Sequence, residues 1–251
     1  MSFSNKVVLV TGASSGIGAA TAILFAKEGA NVAIVGRNQT KLTKISEECE
    51  KHGKMPLVIN ADVSKDEEAE NIIKQTVEKY GRLDVLVNSA GISKFGSILD
   101  GKIVPVYDEV MNTNLRAIIN LTTLSAPYLV ESKGNVVNIS STGAELVPKV
   151  PQFIPYCVSK AALEHFTRGA ALELSSSGVR VNVVRPGPVR TDMIENSGFP
   201  GTWDTFKAGT ALDRVSEPME IAELVLFLAS EKAKGITGSV FTSDNGYLLK
   251  N

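Results

Sequence analysis

The chain has 251 residues, 43% hydrophobic and 6% aromatic, with 26 basic against 27 acidic side chains for a net charge of −1. That length and apolar share suffice for one large core, so residues 1–251 are read as a single domain. Balanced charge, with no basic run interleaved with aromatics, excludes a surface built for nucleic acid or for an anionic membrane.

The N-terminus, Met1-Ser2-Phe3-Ser4-Asn5-Lys6, enters a strand at once, without a signal-type apolar stretch or an amphipathic presequence. No apolar run approaches the ~20 residues that span a bilayer, and a cytoplasmic location is expected. Cys49 and Cys157 lack metal-type spacing, so reduced thiols and no metal are expected.

The first strand, Val7–Val10, ends in Thr11-Gly12-Ala13-Ser14-Ser15-Gly16-Ile17-Gly18, and helical period follows over Ile17–Glu28. A glycine turn between a strand and a helix is a seat for a dinucleotide pyrophosphate. Gly12 permits the tight turn, Gly16 lets backbone approach the pyrophosphate, and Gly18 lets the helix pack closely on the sheet. The long spacing between the first two glycines lets Ser14 and Ser15 add hydroxyl donors.

The second strand, Val32–Val35, leads to Gly36-Arg37-Asn38. An acidic residue here would select NAD and repel a 2′-phosphate. Gly36 and Arg37 stand in its place, and a guanidinium offers several donors to phosphate, with Asn38 adding to it. NADP, with NADPH preferred over NADH, is the expected coenzyme. A helix over Gln39–Lys51 and a strand over Leu57–Ile59 precede Asp62-Val63, where Asp62 is placed to accept from the adenine amino group. After a helix over Asp66–Tyr80 and a strand over Val85–Val87, the small residues of Asn88-Ser89-Ala90-Gly91 leave room for the adenosine ribose.

A helix over Tyr107–Ser132 contains Asn114, expected to bend it and to hold a water linking Lys160 to solvent. Strand Val136–Ile139 runs into Ser140-Ser141, where Ser141 is placed to hydrogen-bond a substrate oxygen and Ser140 is its alternative. Tyr156 and Lys160, four apart on the next helix, share one face. Phenol titrates near 10; Lys160 and an oxidised nicotinamide are expected to favour phenolate and lower that value. In reduction the same phenol gives its proton to oxygen as hydride reaches carbon. Pro151 and Pro155 fit a helix start, helical period continues over Ala161–Leu174, and strands Val181–Val184 and Val240–Phe241 complete the set.

Strands that are apolar without alternation suit a parallel sheet covered on both faces. The expected fold is therefore α/β, a Rossmann-type doubly wound parallel sheet of about seven strands. Irregular stretches at 92–107, 145–155 and 190–213 are expected to wall the substrate. Their Ile92, Phe95, Leu146, Val147, Val150, Phe153, Ile154, Met193, Ile194, Phe199, Trp203 and Phe206 are apolar, which points to a hydrophobic carbonyl or alcohol. His165 falls out of phase with Tyr156, His52 reads as a helix-end cation and Cys157 as packing. Trp203 is either a pocket wall or a loop anchor.

On these motifs the chain resembles the compact, single-domain short-chain dehydrogenase/reductases over nearly its whole length. That family's Thr-Gly-x-x-x-Gly-x-Gly stands as Thr11 to Gly18, and its Asn-Asn-Ala-Gly as Asn88-Ser89-Ala90-Gly91, with Ser89 a departure. The resemblance implies that Asn114, Ser141, Tyr156 and Lys160 are catalytic. It also implies that Pro186-Gly187, Val189 and Thr191 border the nicotinamide carboxamide. Ser141 and Tyr156 are slightly farther apart than is usual there, so 145–155 is expected to bulge toward the substrate.

The same resemblance suggests a homotetramer or homodimer through the helices at 107–132 and 156–176. Ala161, Ala162, Phe166, Ala170 and Leu174 there exceed one core-facing stripe. Steroid, isoprenoid, retinoid and 3-oxoacyl substrates all fit. The competing expectation is a catalytically idle dinucleotide-binding sensor or subunit, against which the intact Asn114, Ser141, Tyr156 and Lys160 weigh.

Overall fold

Seven parallel strands form one sheet in the order β3-β2-β1-β4-β5-β6-β7. They are β1 (Val7–Thr11), β2 (Asn31–Gly36), β3 (Leu57–Asn60), β4 (Val85–Asn88), β5 (Asn135–Ile139), β6 (Arg180–Pro186) and β7 (Val240–Ser243). This computed structural model describes residues 3–148, 150–193 and 202–251. The order reverses between β1 and β4, and a doubly wound sheet opens its ligand crevice at such a switch point, beyond the carboxyl ends of the strands. Each expected strand is present, one or more residues longer than its apolar run.

Alternation along β1 shows how the two faces fill. Val8 and Val10 join Phe25, Ile221, Val225 and Leu228 on one side. Val7 and Leu9 join Ile72, Leu121, Leu129 and Ala171 on the other. The first side is covered by α1 (Gly16–Lys27), α2 (Gln39–Glu50) and the helix Pro218–Ala229; the second by α3 (Asp66–Tyr80), α5 (Ala117–Ser132) and α6 (Ile154–Leu174). Because both faces are buried, β1 and β5 show no polar alternation at all.

One expectation about the site-bearing segments changes: the stretch 92–107 is irregular only to Lys102, because α4 (Ile103–Met111) begins there. The helix start read at the prolines holds, since α6 starts at Ile154 with Pro155 in its first turn, although apolar spacing shows helical period only from Ala161. Its opening turns bury Tyr156, Cys157, Ser159 and Lys160, polar groups included, so they carry no amphipathic signal. Among the described residues no helix is long and apolar enough to cross a membrane.

Candidate active site

A cleft of about 960 Å³ lies over the carboxyl ends of the strands. Its nucleotide half is lined by Gly12, Ser14, Ser15, Gly16, Ile17, Arg37, Asn38, Asp62, Val63, Ala90 and Gly91. The other half is lined by Ser141, Tyr156, Lys160, Pro186, Gly187, Val189 and Thr191. The turn after β1 is tight for a steric reason. Gly12 has φ +67°, and a Cβ there would stand 2.7 Å from the Ala90 amide nitrogen. Gly16, at φ +56°, would bring a Cβ to 2.9 Å from Thr191 Cγ2, so this turn closes against the far loop. Gly18 is buried and does not line the cleft; a Cβ there would meet the Gly12 carbonyl oxygen at 2.4 Å, which is the close packing of α1 on the turn.

Ser15 stands at the N-cap of α1 yet makes no capping hydrogen bond. Its hydroxyl instead meets Asp192, which is also ion-paired with Lys41 across the cleft. The first amides of α1 therefore have no side-chain cap from Ser15, as a pyrophosphate seat requires. A dinucleotide fits the residues present.

At the adenosine end, Arg37 Nη1 lies 3.8 Å from Asp62 Oδ2, with the guanidinium side chain 66% exposed. Burial raises the Asp62 carboxyl, but donors from Ser64 and the Arg37 charge outweigh it and hold it below its ordinary value. The carboxylate is thus ionised and can accept a hydrogen bond. Asn38 caps α2, its Oδ1 accepting from Lys41 N–H at 3.0 Å, which leaves its amide NH₂ for a ligand.

Asn88 corrects an expectation. It is fully buried inside the sheet, its Nδ2 donating to Asn138 Oδ1 at 2.9 Å, and the cleft wall is made by Ser89, Ala90 and Gly91 after it. The residue braces β4 against β5.

At the chemical end, Tyr156 is buried, and Lys160 Nζ lies 5.7 Å from the centre of its ring. In the protein alone the balance runs opposite to the one expected with an oxidised nicotinamide beside the phenol. Burial pushes the Tyr156 phenol up to about 12, a hydrogen bond with Ser141 pulls the other way, and nearby Cys157 adds to the rise. Lys160 is pushed down to about 8 by burial, with Glu164 opposing. Its ammonium donates to the Ile139 carbonyl at 2.9 Å.

Asn114, expected to bend its helix, lies within the π-helical segment Asn112–Arg116 that joins α4 to α5. Its side-chain amide bonds to the protein on both sides. Oδ1 accepts from Ile92 N–H at 2.8 Å, while Nδ2 donates to the Ile92 carbonyl at 2.9 Å and to Ser159 Oγ at 3.1 Å. Asn114 thus fixes the loop after β4 to the start of α6. A Cβ on Gly91 would lie 3.3 Å from Asn114 Oδ1 and 3.6 Å from Lys160 Nζ, so the small residue keeps that corner open.

The substrate side is lined by Ile92, Leu146, Val147, Val150, Phe153, Met193 and Phe206, whereas Phe95, Ile154 and Trp203 are not on the wall. Ile194 and Phe199 lie outside the described residues. Trp203 is an anchor: it stacks with Phe206, centroids 6.0 Å apart, and Arg190 covers its ring at 5.4 Å. Lys41, Asp192, Tyr247 and Asn251 also line the cleft and escaped the sequence reading. Lys41 was within reach of it, three residues past the Asn38 cap. Tyr247 arrives from the last helix, Tyr247–Lys250, by a fold-level return that no local pattern marks.

A family model described as enoyl-(acyl carrier protein) reductase matches residues 12–248. An A-factor type gamma-butyrolactone 1′-reductase (1S-forming) from Streptomyces virginiae is 36% identical over 249 residues, covering 98% of this chain and 96% of that protein. A short-chain dehydrogenase/reductase of Caenorhabditis elegans, solved with cofactor, superposes with a TM-score of 0.93 at 35% identity, covering 100% of this chain and 98% of its own. A short chain dehydrogenase from Burkholderia cenocepacia in complex with NADP gives 0.91 at 33% identity, covering 99% and 100%. The chain belongs to the short-chain dehydrogenase/reductase family and is an oxidoreductase of the carbonyl–alcohol kind.

Proposed function

We propose that the protein is an NADP(H)-dependent reductase that turns a carbonyl on a small hydrophobic substrate into a secondary alcohol, with Tyr156 as general acid. The observation that carries this reading is the burial of Tyr156. A phenol pushed up to about 12 keeps its proton at neutral pH and serves as an acid, the form that reduction needs.

The coenzyme, when bound, supplies hydride to the carbonyl carbon. The chain's residues do the rest. Ser141 Oγ donates to the carbonyl oxygen and orients it beside Tyr156 Oη. Tyr156 gives its proton to that oxygen as negative charge develops there. Lys160, cationic below about 8, stabilises the phenolate left behind. Asn114 holds the loop and helix that frame this corner. The apolar wall of Ile92, Leu146, Val150, Phe153 and Met193 excludes water and favours a hydrophobic substrate.

Arg37 supports NADP as the coenzyme, and the Burkholderia relative was solved with NADP. Pro186, Gly187, Val189 and Thr191 line the nicotinamide end. The Streptomyces relative is a gamma-butyrolactone 1′-reductase, which favours a ketone on an acyl-derived frame as the substrate class. Two free buried thiols suit a cytoplasmic location, and a homotetramer or homodimer completes the reading. The test is a panel of carbonyls and alcohols scored by NADPH absorbance, alongside Tyr156→Phe. Turnover that falls roughly 10²–10⁴-fold in the variant while nucleotide still binds supports the assignment. Near-normal turnover in Tyr156→Phe overturns it, and no turnover on any substrate leaves the idle nucleotide-binding protein standing.

A further inference from the structure

Behind Lys160 lies a second charged pair. Glu164, one turn on along α6, is 4% exposed, and Arg185 on β6 reaches it with Nε and one arm of its guanidinium. Arg185 Nε donates to Glu164 Oε1 at 2.8 Å, and Nη2 to Oε2 at 2.6 Å. Ser140 Oγ adds a third donor, to Oε1 at 2.8 Å. The remaining arm, Nη1, pairs with Glu145, in the segment between β5 and α6 that walls the substrate.

A buried pair of this kind is weak evidence for stability. The desolvation of two charges cancels much of their attraction, and well-packed apolar residues often serve as well. Its placement offers a better account. Lys160 and Glu164 share a helix face, and Lys160 is the buried cation whose charge the reaction uses. We propose that Glu164 and Arg185 are positioning residues that set the charge environment of Lys160, and that Arg185, through Glu145, ties the substrate-facing segment to the same helix. This rests on the assignment of Tyr156 and Lys160 above.

The other groups near Lys160 are few. Tyr156 and Cys157 share α6, the end of β5 brings the Ile139 carbonyl and Ser140, and the π-helical turn brings only the uncharged Asn114. On α4, Asp108 and Glu109 are solvent-exposed, and Glu109 pairs with Lys94. Glu164 is thus the carboxylate that acts on Lys160, and Arg185 is its counterweight.

The signs follow from charge alone. Glu164→Gln removes a negative charge and leaves Arg185 uncompensated, so Lys160 loses its proton at lower pH. Arg185→Gln leaves the carboxylate uncompensated, so Lys160 keeps its proton to higher pH. The experiment is the pH dependence of kcat/KM for carbonyl reduction with NADPH in the full chain. Glu164→Gln, Arg185→Gln, the double variant and Tyr156→Phe are compared with the unmutated protein.

The alkaline limb should move down by about one pH unit in Glu164→Gln and up by about one in Arg185→Gln. In the double variant, whose amides still hydrogen-bond, it should return close to the original midpoint. A pair that only braced the fold would lower rate or melting temperature without opposite shifts of the midpoint. Shifts of the same sign, or no shift, with Tyr156→Phe inactive, overturn the positioning role alone. An active Tyr156→Phe overturns the catalytic assignment on which it rests.

Discussion

Ser140 and Ser141 are neighbours in the chain and send their hydroxyls to opposite sides of the β5 end. Ser140 Oγ donates to Glu164 Oε1 at 2.8 Å, whereas Ser141 Oγ accepts from Gly143 N–H at 3.1 Å and meets the Tyr156 phenol. Extended backbone makes successive side chains alternate, so both residues border the cleft while Ser141 turns its hydroxyl to Tyr156 and Ser140 turns its own to Glu164.

Ser141→Ala is expected to lower kcat by about 10²–10³-fold, the usual cost of removing one donor from a developing oxyanion. Ser140→Ala should keep most turnover and lower stability by about 1–2 kcal/mol, since Glu164 retains Arg185. Steady-state kinetics and denaturant melts on both variants decide the point; a dead Ser140→Ala beside an active Ser141→Ala would reverse the roles.

Carbonyl reduction should hold through neutral pH and fall as pH rises through about 8, where Lys160 loses its charge. Below that value Lys160 is cationic and stabilises the phenolate that proton donation leaves; above it the phenolate has lost its nearest cation. Tyr156 itself does not limit the rate until about 12. Lys160→Met should remove the limb near 8 and cut kcat by roughly 10²–10⁴-fold. Initial rates from neutral to alkaline buffers, with a flat profile in the unmutated protein as the adverse result, check it.

Arg37 should favour NADPH over NADH by roughly 10–150-fold, from the ~1.5–3 kcal/mol of a hydrogen bond to a charged group. Its exposure and its contact with Asp62 place the effect at the lower end, because salt screens the phosphate contact and the guanidinium must leave a carboxylate. Arg37→Ala should raise KM for NADPH and leave that for NADH almost unchanged. Equal kcat/KM for both coenzymes in the unmutated protein would remove Arg37 from the coenzyme reading.

A homotetramer or homodimer through α5 and α6 should show by light scattering at micromolar concentration, and a monomer would contradict it. The surface that carries this expectation differs in part from the one read in the sequence. Ala161 is exposed and Ala162 half-buried, but Ala170 is buried and Phe166 and Leu174 pack against the core, while Ile119, Val130, Val158 and Leu172 also face outward. Exchanging Val158 and Leu172 for charged residues should shift the mass toward the monomer.

The sheet was legible because each strand carries a short β-branched or apolar run, broken by Asn138 in β5 and Asn182 in β6, and the nucleotide turn because its glycines have no steric substitute. Tyr156, Lys160 and Ser141 were legible by spacing. Titration was not. Lys160 and an oxidised nicotinamide were expected to lower the Tyr156 phenol, whereas in the protein alone the depth to which α6 sinks raises it. Nor does spacing distinguish Asn88, locked onto Asn138 inside the sheet, from Ala90 at the cleft two residues later. The Glu164–Arg185 pair joins a helix to a strand, and no local pattern announces it.

The last helix has a consequence for engineering. Lys250 Nζ donates to the carbonyls of Ala208 and Thr210, and Asn251 Nδ2 to that of Gly209, so the chain's final residues stitch the turn that follows the helix Trp203–Ala208. Phe206 on that helix and Tyr247 on the last one both face the cleft. The outer wall is therefore a two-part insert, remote in sequence from the glycine turn that seats the nucleotide. A graft of 202–213 from a relative without its matching tail would leave three carbonyls without these donors. Exchanged together, the two pieces are a cassette for changing which carbonyl enters, with the coenzyme seat left as it stands.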